Sequence, residues 1–365
     1  MIEKTELLVI GGGPAGLTAA LHAGRYGTKT VIVDDAIRPG GQLIKQTHKF
    51  FGSRMEYAGT RGFQIAKLLL KELEKLNNVK IYDQTTATGY YEDGVLTCLK
   101  GERYFKIKPE RVIVATGAFE KMIPFVGNDL PGVYGAGAVQ TIMNLYGVVP
   151  AKRVLMVGAG NIGLIISYQL LQTGVEVAAI VEGMDKIGGY QVHASKVRRM
   201  GVPILTKHTI VEAVGEREVE GAIISKIDEN WHPIPGTEKK LDVDTICLAV
   251  GLSPTIDILR QAGAKIAYIP ELGGDVAIRD EFMETTAKGI YVAGDAAGVE
   301  EASSAIIEGA IAGISAAKSL GKSIPDFEKQ IAKLREELNN LRAGPFGEKI
   351  KQGLEKLKEL NQQSK

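Results

Sequence analysis

Short apolar runs, each followed by glycines and then by residues at helical spacing, recur along this chain and predict repeated strand–turn–helix units. Leu7-Leu8-Val9-Ile10 is apolar at every position, as expected of a strand covered on both faces of a parallel sheet. A glycine-rich turn follows, then helical spacing from Leu17 to Tyr26 that Gly27 ends. Thr30-Val31-Ile32-Val33 reads as the return strand and closes on Asp34-Asp35. The same unit recurs at Val154-Leu155-Met156-Val157, with a second glycine-rich turn, a helix from Leu164 to Gln172 capped by Gly174, and a strand over 177–181 that ends at Glu182. Between the two units the pattern predicts an amphipathic helix over 57–76 and a buried strand over 112–115. After them come alternating strands at 204–215, 218–229 and 242–250, and a strand over 289–295 that runs into a helix at 302–320. Beyond Pro325 the pattern changes to two charged helices, Asp326 to Leu341 and Glu348 to Leu360, around a break at Ala343-Gly344-Pro345-Phe346-Gly347. Ile331, Leu334, Leu338 and Leu341 form an apolar stripe that must be buried, either on the chain's own body or against a partner.

The turns carry the chemistry. The first reads Gly11-Gly12-Gly13-Pro14-Ala15-Gly16 and the second Gly158-Ala159-Gly160-Asn161-Ile162-Gly163. In each G-x-G-x-x-G the first glycine makes a tight turn, the second lets backbone reach a pyrophosphate, and the third lets helix and strand pack closely. The phosphates then sit at the positive end of the helix dipole. Asp34 follows Gly11 by 23 residues and Glu182 follows Gly158 by 24, the separation at which an acid meets ribose hydroxyls. A carboxylate at Glu182 repels a 2′-phosphate and favours NAD over NADP. Two glycine-rich turns in ordinary strand–helix units without ligand remain the plainer alternative.

Composition narrows the class. The chain has 365 residues, with Lys+Arg 44 against Asp+Glu 43, so its charge calls for neither nucleic acid nor an anionic membrane. No apolar run approaches the roughly 20 residues of a membrane span, and the polar start, Ile2-Glu3-Lys4-Thr5-Glu6, is unlike a secretory signal. A cytoplasmic protein is expected. The two cysteines, Cys98 and Cys247, form no CxxC, which excludes an internal dithiol relay and a cysteine-ligated iron–sulfur cluster within this chain. His22, His193, His208 and His232 have no ligand spacing, so no metal site is expected.

These motifs resemble the two-dinucleotide-binding-domain flavoproteins, the group of thioredoxin reductase and NADH oxidase, here without the CxxC. Gly40-Gly41-Gln42-Leu43 is similar to their loop along the flavin. Ala115-Thr116-Gly117-Ala118 and Ala249-Val250-Gly251 resemble the crossover segments. Gly289-Ile290-Tyr291-Val292-Ala293-Gly294-Asp295 resembles the second FAD motif, whose Asp meets the ribityl and pyrophosphate region. Ala115–Glu120, Asn128-Asp129-Leu130-Pro131-Gly132-Val133 and Gly137-Ala138-Val139-Gln140-Thr141 more closely resemble α subunits of heteromeric sarcosine oxidase, dye-linked L-proline dehydrogenase, opine oxidase and hydrogen cyanide synthase. The sequence departs from several of these in having no N-terminal ferredoxin-like domain and no cysteine-rich C-terminal domain.

The expected fold is therefore α/β: two Rossmann-like dinucleotide-binding domains, the second inserted in the first, plus a helical C-terminal tail. Residues 1–118 and 245–325 would form the FAD-binding domain, 119–244 the NAD(H)- or nucleotide-binding domain, and 326–365 the tail. The resemblance implies FAD on Gly11, Gly13, Pro14, Ala15, Gly16, Asp34, Asp35, Gly41, Gln42, Thr116, Gly117, Gly294 and Asp295. It places NAD(H) or another adenine nucleotide on Gly158, Gly160, Asn161, Ile162, Gly163, Glu182 and Gly251. Lys45 and His48 follow the loop expected beside the flavin, where a histidine could shuttle protons or simply be a polar surface residue. No catalytic acid or base is named. The implied activity is FAD-dependent oxidoreduction in a multi-subunit amino- or imino-acid (proline- or sarcosine-type) dehydrogenase. The partners it implies are a second flavoprotein in the complex, a separate iron–sulfur protein and a small-molecule substrate. A free-standing NADH:acceptor oxidoreductase and a nucleotide-binding scaffold are the alternatives.

Overall fold

A computed structural model describes residues 2–50, 53, 56–344 and 347–363. Phe51 and the Pro345-Phe346 part of the expected break lie outside the described residues. Two compact units emerge, Met1–Phe119 with Ser253–Lys365, and Glu120–Leu252.

In the first unit, strand Ile2–Ile10 pairs in parallel with Thr30–Val33 on one side and with Arg103–Val114 on the other. Val79–Tyr82 extends the sheet beyond Thr30–Val33, and Ile290–Val292 joins in parallel to the far end of Arg103–Val114. The other end of that long strand carries the antiparallel pair Leu96–Lys100 and Thr86–Tyr90. Residues 7–10 are 3% exposed or less, which accounts for their unbroken apolar run. Helix Pro14–Arg25 packs on helix Ala302–Ser319 at backbone distance. A Cβ on Gly309 would lie 2.2 Å from the Ala15 carbonyl oxygen, and one on Gly313 2.2 Å from that of Ala19.

The second unit repeats the plan with a parallel sheet in the order Ile204–Thr206, Glu176–Glu182, Arg153–Val157, Thr245–Leu248, Val133–Gly135. A three-stranded antiparallel sheet, His208–Val214, Gly221–Lys226 and Lys239–Leu241, lies beside it in the sequence. The expected boundary at 245 needs correction. Strand Thr245–Leu248 hydrogen-bonds to Arg153–Val157 and Val133–Gly135, so it completes the second unit's sheet, and that unit runs through Leu252.

The tail's stripe is buried on the chain's own body. Ile331, Leu334 and Leu338 of helix Phe327–Leu341 enter the first unit's core, and Leu341 packs against it. Helix Glu348–Gln363 places Leu357 in a separate cluster with Ile269, Leu272 and Val276. No described helix is long and apolar enough to cross a membrane.

Candidate functional site

The first glycine motif forms a built cradle. Gly11 has φ +102°, and a Cβ there would fall 2.2 Å from the Ala115 carbonyl oxygen. A Cβ on Gly16 would fall 1.9 Å from the Gly11 carbonyl oxygen. The chain's own packing thus demands glycine at both positions. Gly13 is different. Its φ of −77° suits any residue, and a Cβ there would meet only the Gly41 Cα, at an ordinary 3.8 Å. Nothing within the protein requires glycine at 13, whereas a pyrophosphate approaching the start of helix Pro14–Arg25 would.

The second motif repeats this residue by residue. Gly158 has φ +107° and lies against the Ala249 carbonyl oxygen, and Gly163 lies against that of Gly158. Gly160 has φ −72°, and a Cβ there would meet nothing within 4 Å.

Each acid is fixed by its own turn. The Gly12 N–H donates to Asp34 Oδ2 at 2.5 Å and the Ala36 N–H to Oδ1 at 3.1 Å. The Ala159 N–H donates to Glu182 Oε2 at 2.8 Å and the Met184 N–H to Oε1 at 3.0 Å. Burial pushes the Asp34 carboxyl above its ordinary value, with the two backbone donors opposing. These hydrogen bonds hold each carboxylate at its motif with further oxygen lone pairs for a ribose. Asp35 is exposed and takes no part in this arrangement.

A second layer of glycines supports each cradle. The Gly40 N–H donates to the Gly12 carbonyl at 2.6 Å, and a Cβ on Gly41 would lie 2.8 Å from the Gly13 Cα. Gly188 and Gly189 do the same in the second unit: the Gly189 N–H donates to the Ala159 carbonyl at 3.0 Å, and a Cβ there would lie 2.8 Å from the Gly160 carbonyl carbon. Sequence reasoning names Gly41 and passes over Gly188-Gly189. The signal for them is a Gly-Gly pair at nearly the same distance after each motif. Asn161 does not point free at a ligand, because its Oδ1 accepts the Tyr190 N–H at 2.8 Å. The ring of Trp231 lies against Gly183, the residue after Glu182, with its Cζ3 2.3 Å from where a Cβ would be.

The remaining expected FAD residues converge on the first cradle. Ala115 follows strand Arg103–Val114, and the Thr116 hydroxyl donates to the Thr255 carbonyl at 2.7 Å. Gly117 has no neighbour for a Cβ within 4 Å. Gly294, at φ +71°, sits 2.9 Å from the Ala15 side chain by the same measure, bringing Asp295 to the start of the motif helix. Burial pushes the Asp295 carboxyl up to about 7, aided by Glu308, Glu300 and Glu301 and opposed by the Glu300 N–H. Gln42 is exposed on the short turn Gly41–Lys45, which also carries Lys45. His48 is half-buried with its ring stacked on Phe50. Gly251 accepts the Lys121 N–H at 2.9 Å through its carbonyl.

Two other expectations acquire structural explanations. Glu120 caps helix Ala136–Tyr146, its carboxylate accepting the Gly137 N–H at 2.6 Å and the Ala138 N–H at 3.2 Å. That ties together two of the segments whose sequence resembles the heteromeric oxidase α subunits. Cys98 and Cys247 are fully buried; burial pushes the first up to about 12 and the second higher still, so neither is a ready nucleophile.

Two glycine cradles, each with a pinned acid at the end of a parallel strand, define a dinucleotide-binding oxidoreductase of the two-domain type. The model of the pyridine nucleotide-disulphide oxidoreductase family matches residues 5–309, and the chain belongs to that family of FAD-binding, pyridine-nucleotide-using oxidoreductases. It is 30% identical over 335 residues to the sarcosine oxidase α chain of Rhizobium meliloti, covering 88% of this chain and 31% of that one. It is 26% identical to the larger of these relatives' counterparts in opine oxidase, the A component of the Agrobacterium tumefaciens enzyme, covering 86% and 66%. It is 25% identical to a hydrogen cyanide synthase subunit of Pseudomonas aeruginosa, covering 92% and 77%. The chain thus spans less than two thirds of the first two relatives' length. Among solved structures the fold resembles thioredoxin reductase of T. acidophilum (TM-score 0.71, 22% identity, 87% of this chain and 99% of that one). It also resembles L-proline dehydrogenase from P. horikoshii (TM-score 0.67, 24% identity, 91% and 60%).

Proposed function

We propose that this chain binds FAD in its first unit and NAD(H) in its second, as the nucleotide-binding α subunit of a multi-subunit amino- or imino-acid dehydrogenase. The observation that carries the two ligands is the pair Gly13 and Gly160, glycines that neither backbone conformation nor internal packing requires. FAD would lie with its pyrophosphate over Gly13 and the start of helix Pro14–Arg25, its ribose at Asp34 and its ribityl region at Asp295. NAD(H) would lie over Gly160 with its ribose at Glu182. Bound FAD supplies hydride and electron transfer; the protein supplies position and field. Helix Ala302–Ser319 would turn its positive end toward the flavin and favour negative charge there.

The subunit role is supported by the names of the relatives, which are subunits of sarcosine oxidase, opine oxidase and hydrogen cyanide synthase. The tail's stripe lends it no support, because that stripe is buried on the chain itself. Releasing the ligands from native protein by mild denaturation and weighing them should give FAD; protein that carries and binds no FAD would sink the reading. Tagged purification from the native host should recover a second flavoprotein. A clean monomer or homodimer would instead favour a free-standing NADH:acceptor oxidoreductase, for which NADH should bleach the flavin rapidly in stopped-flow mixing.

A further inference from the structure

Four charged side chains lie together beside the Gly294-Asp295 motif, and the chemistry described above uses none of them. Arg279, Glu300, Glu308 and Arg342 are each 10% exposed or less at the side chain. Arg342 comes directly after helix Phe327–Leu341 of the tail. Its guanidinium grips Glu300 with two parallel bonds, Nε to Oε2 at 2.9 Å and Nη2 to Oε1 at 2.6 Å, and also reaches Glu308 Oε1 at 2.8 Å. Arg279 meets Glu308 from the other side at 3.4 Å. The two carboxylates that Arg342 holds belong to residues that shape the FAD motif. Glu308 Oε2 accepts the Gly294 N–H at 3.0 Å, and the Glu300 N–H donates to Asp295 Oδ1 at 3.3 Å.

Charge accounts for why a cation is needed. Two arginines balance two glutamates, and Asp295 is a third acid with no cation of its own in this group. Taking one guanidinium away leaves a buried carboxylate unpaired, the costly case for a buried ion cluster. Burial works against the charge on Arg342, and Glu308 and Glu300 more than offset it, holding the guanidinium above its ordinary value.

We infer that Arg342 is a positioning residue of the flavin site: through Glu300 and Glu308 it fixes the Gly294-Asp295 turn and cancels negative charge beside it, so the tail is part of FAD binding. This rests on the proposal that the first unit holds FAD. Loss of the cation should loosen FAD and, by leaving excess negative charge near the flavin, make the flavin harder to reduce.

The test uses the full chain with FAD bound. Arg342→Met should raise the FAD dissociation constant about tenfold, the lower end of what removing an indirect partner does at metal sites, and should move the flavin midpoint potential to a more negative value. Arg342→Lys should keep most of both properties. The double variant Glu300→Gln/Arg342→Met restores charge balance, and its potential should return toward that of the unaltered protein. It also keeps the idea testable if the single Met variant does not fold. FAD affinity and potential unchanged in a folded Arg342→Met, or a double variant with the potential as displaced as the single, overturns the inference while leaving the FAD reading intact. Unaltered protein that binds no FAD would sink the FAD reading itself.

Discussion

The middle glycine of each motif separates binding from folding. Gly13→Ala keeps an allowed backbone and meets only ordinary contacts, so the ligand-free protein should melt as before while FAD affinity falls. Gly16→Ala drives a methyl into the Gly11 carbonyl and should destabilise the ligand-free protein by about 1–3 kcal/mol. Calorimetry and FAD titration on the two variants distinguish these effects; equal loss of stability in both would refute the assignment. Asp295 gives a prediction in pH. Its carboxyl is pushed from an ordinary 3.8 to about 7 by burial, so the ligand-free folded state keeps a proton that the unfolded chain releases across that window. The folded state then binds more protons, and this group's contribution makes stability fall as pH rises from about 4 to about 7. Asp295→Asn should flatten that part of the curve in chemical denaturation; a slope unchanged by the substitution would rule Asp295 out as its source. Both motifs, their acids and Asp295 are legible in the sequence because they obey local spacing. Gly188-Gly189 and the buried Arg279–Arg342 cluster are not. Their partners are fixed by the fold and lie far away along the chain.

Elements whose apolar period is unbroken are legible as such, among them strand Thr30–Val33, helix Ala302–Ser319 and both tail helices. Helix Ala136–Tyr146 escapes the sequence pattern for a physical reason: its N-terminal donors are satisfied by Glu120, sixteen residues upstream, and not by a local cap. Strand Thr245–Leu248 reads as a strand but its domain does not, since an apolar run does not say which sheet will pair with it. The crossing of helices Pro14–Arg25 and Ala302–Ser319 depends on Gly309 and Gly313. Gly309→Val forces the helices apart at Ala15 and should lower the melting temperature and FAD content together. Retention of both would show the contact to be dispensable. In the second unit, the hairpin carrying Trp231 places the chain's single tryptophan against the residue after Glu182. NADH, NAD or ADP binding at Glu182 should change its fluorescence, and calorimetric binding with silent emission would place the nucleotide elsewhere.

At the scale of the whole molecule, the FAD unit is drawn from two separated stretches, and the other unit is one contiguous stretch. The tail belongs to the FAD unit both through its apolar stripe and through Arg342. Deleting residues 326–363 should therefore expose Ile306, Ile314 and their neighbours and lower both solubility and FAD content, whereas a detachable appendage would be lost without effect. The sequence leaves that choice open because an amphipathic stripe has the same pattern whether its own chain or another covers it.

The split of the FAD unit also orders its assembly during synthesis. Residues 120–252 leave the ribosome as a complete unit, while the stretch before them still lacks strand Ile290–Val292, Asp295 and the arginine that holds their turn. The usual sequence, in which the N-terminal domain folds first, is thus reversed for the cofactor site. The nascent chain can acquire a folded nucleotide unit early, but its flavin pocket closes only after Arg342 has emerged, so flavin loading belongs to the last stage of the protein's making.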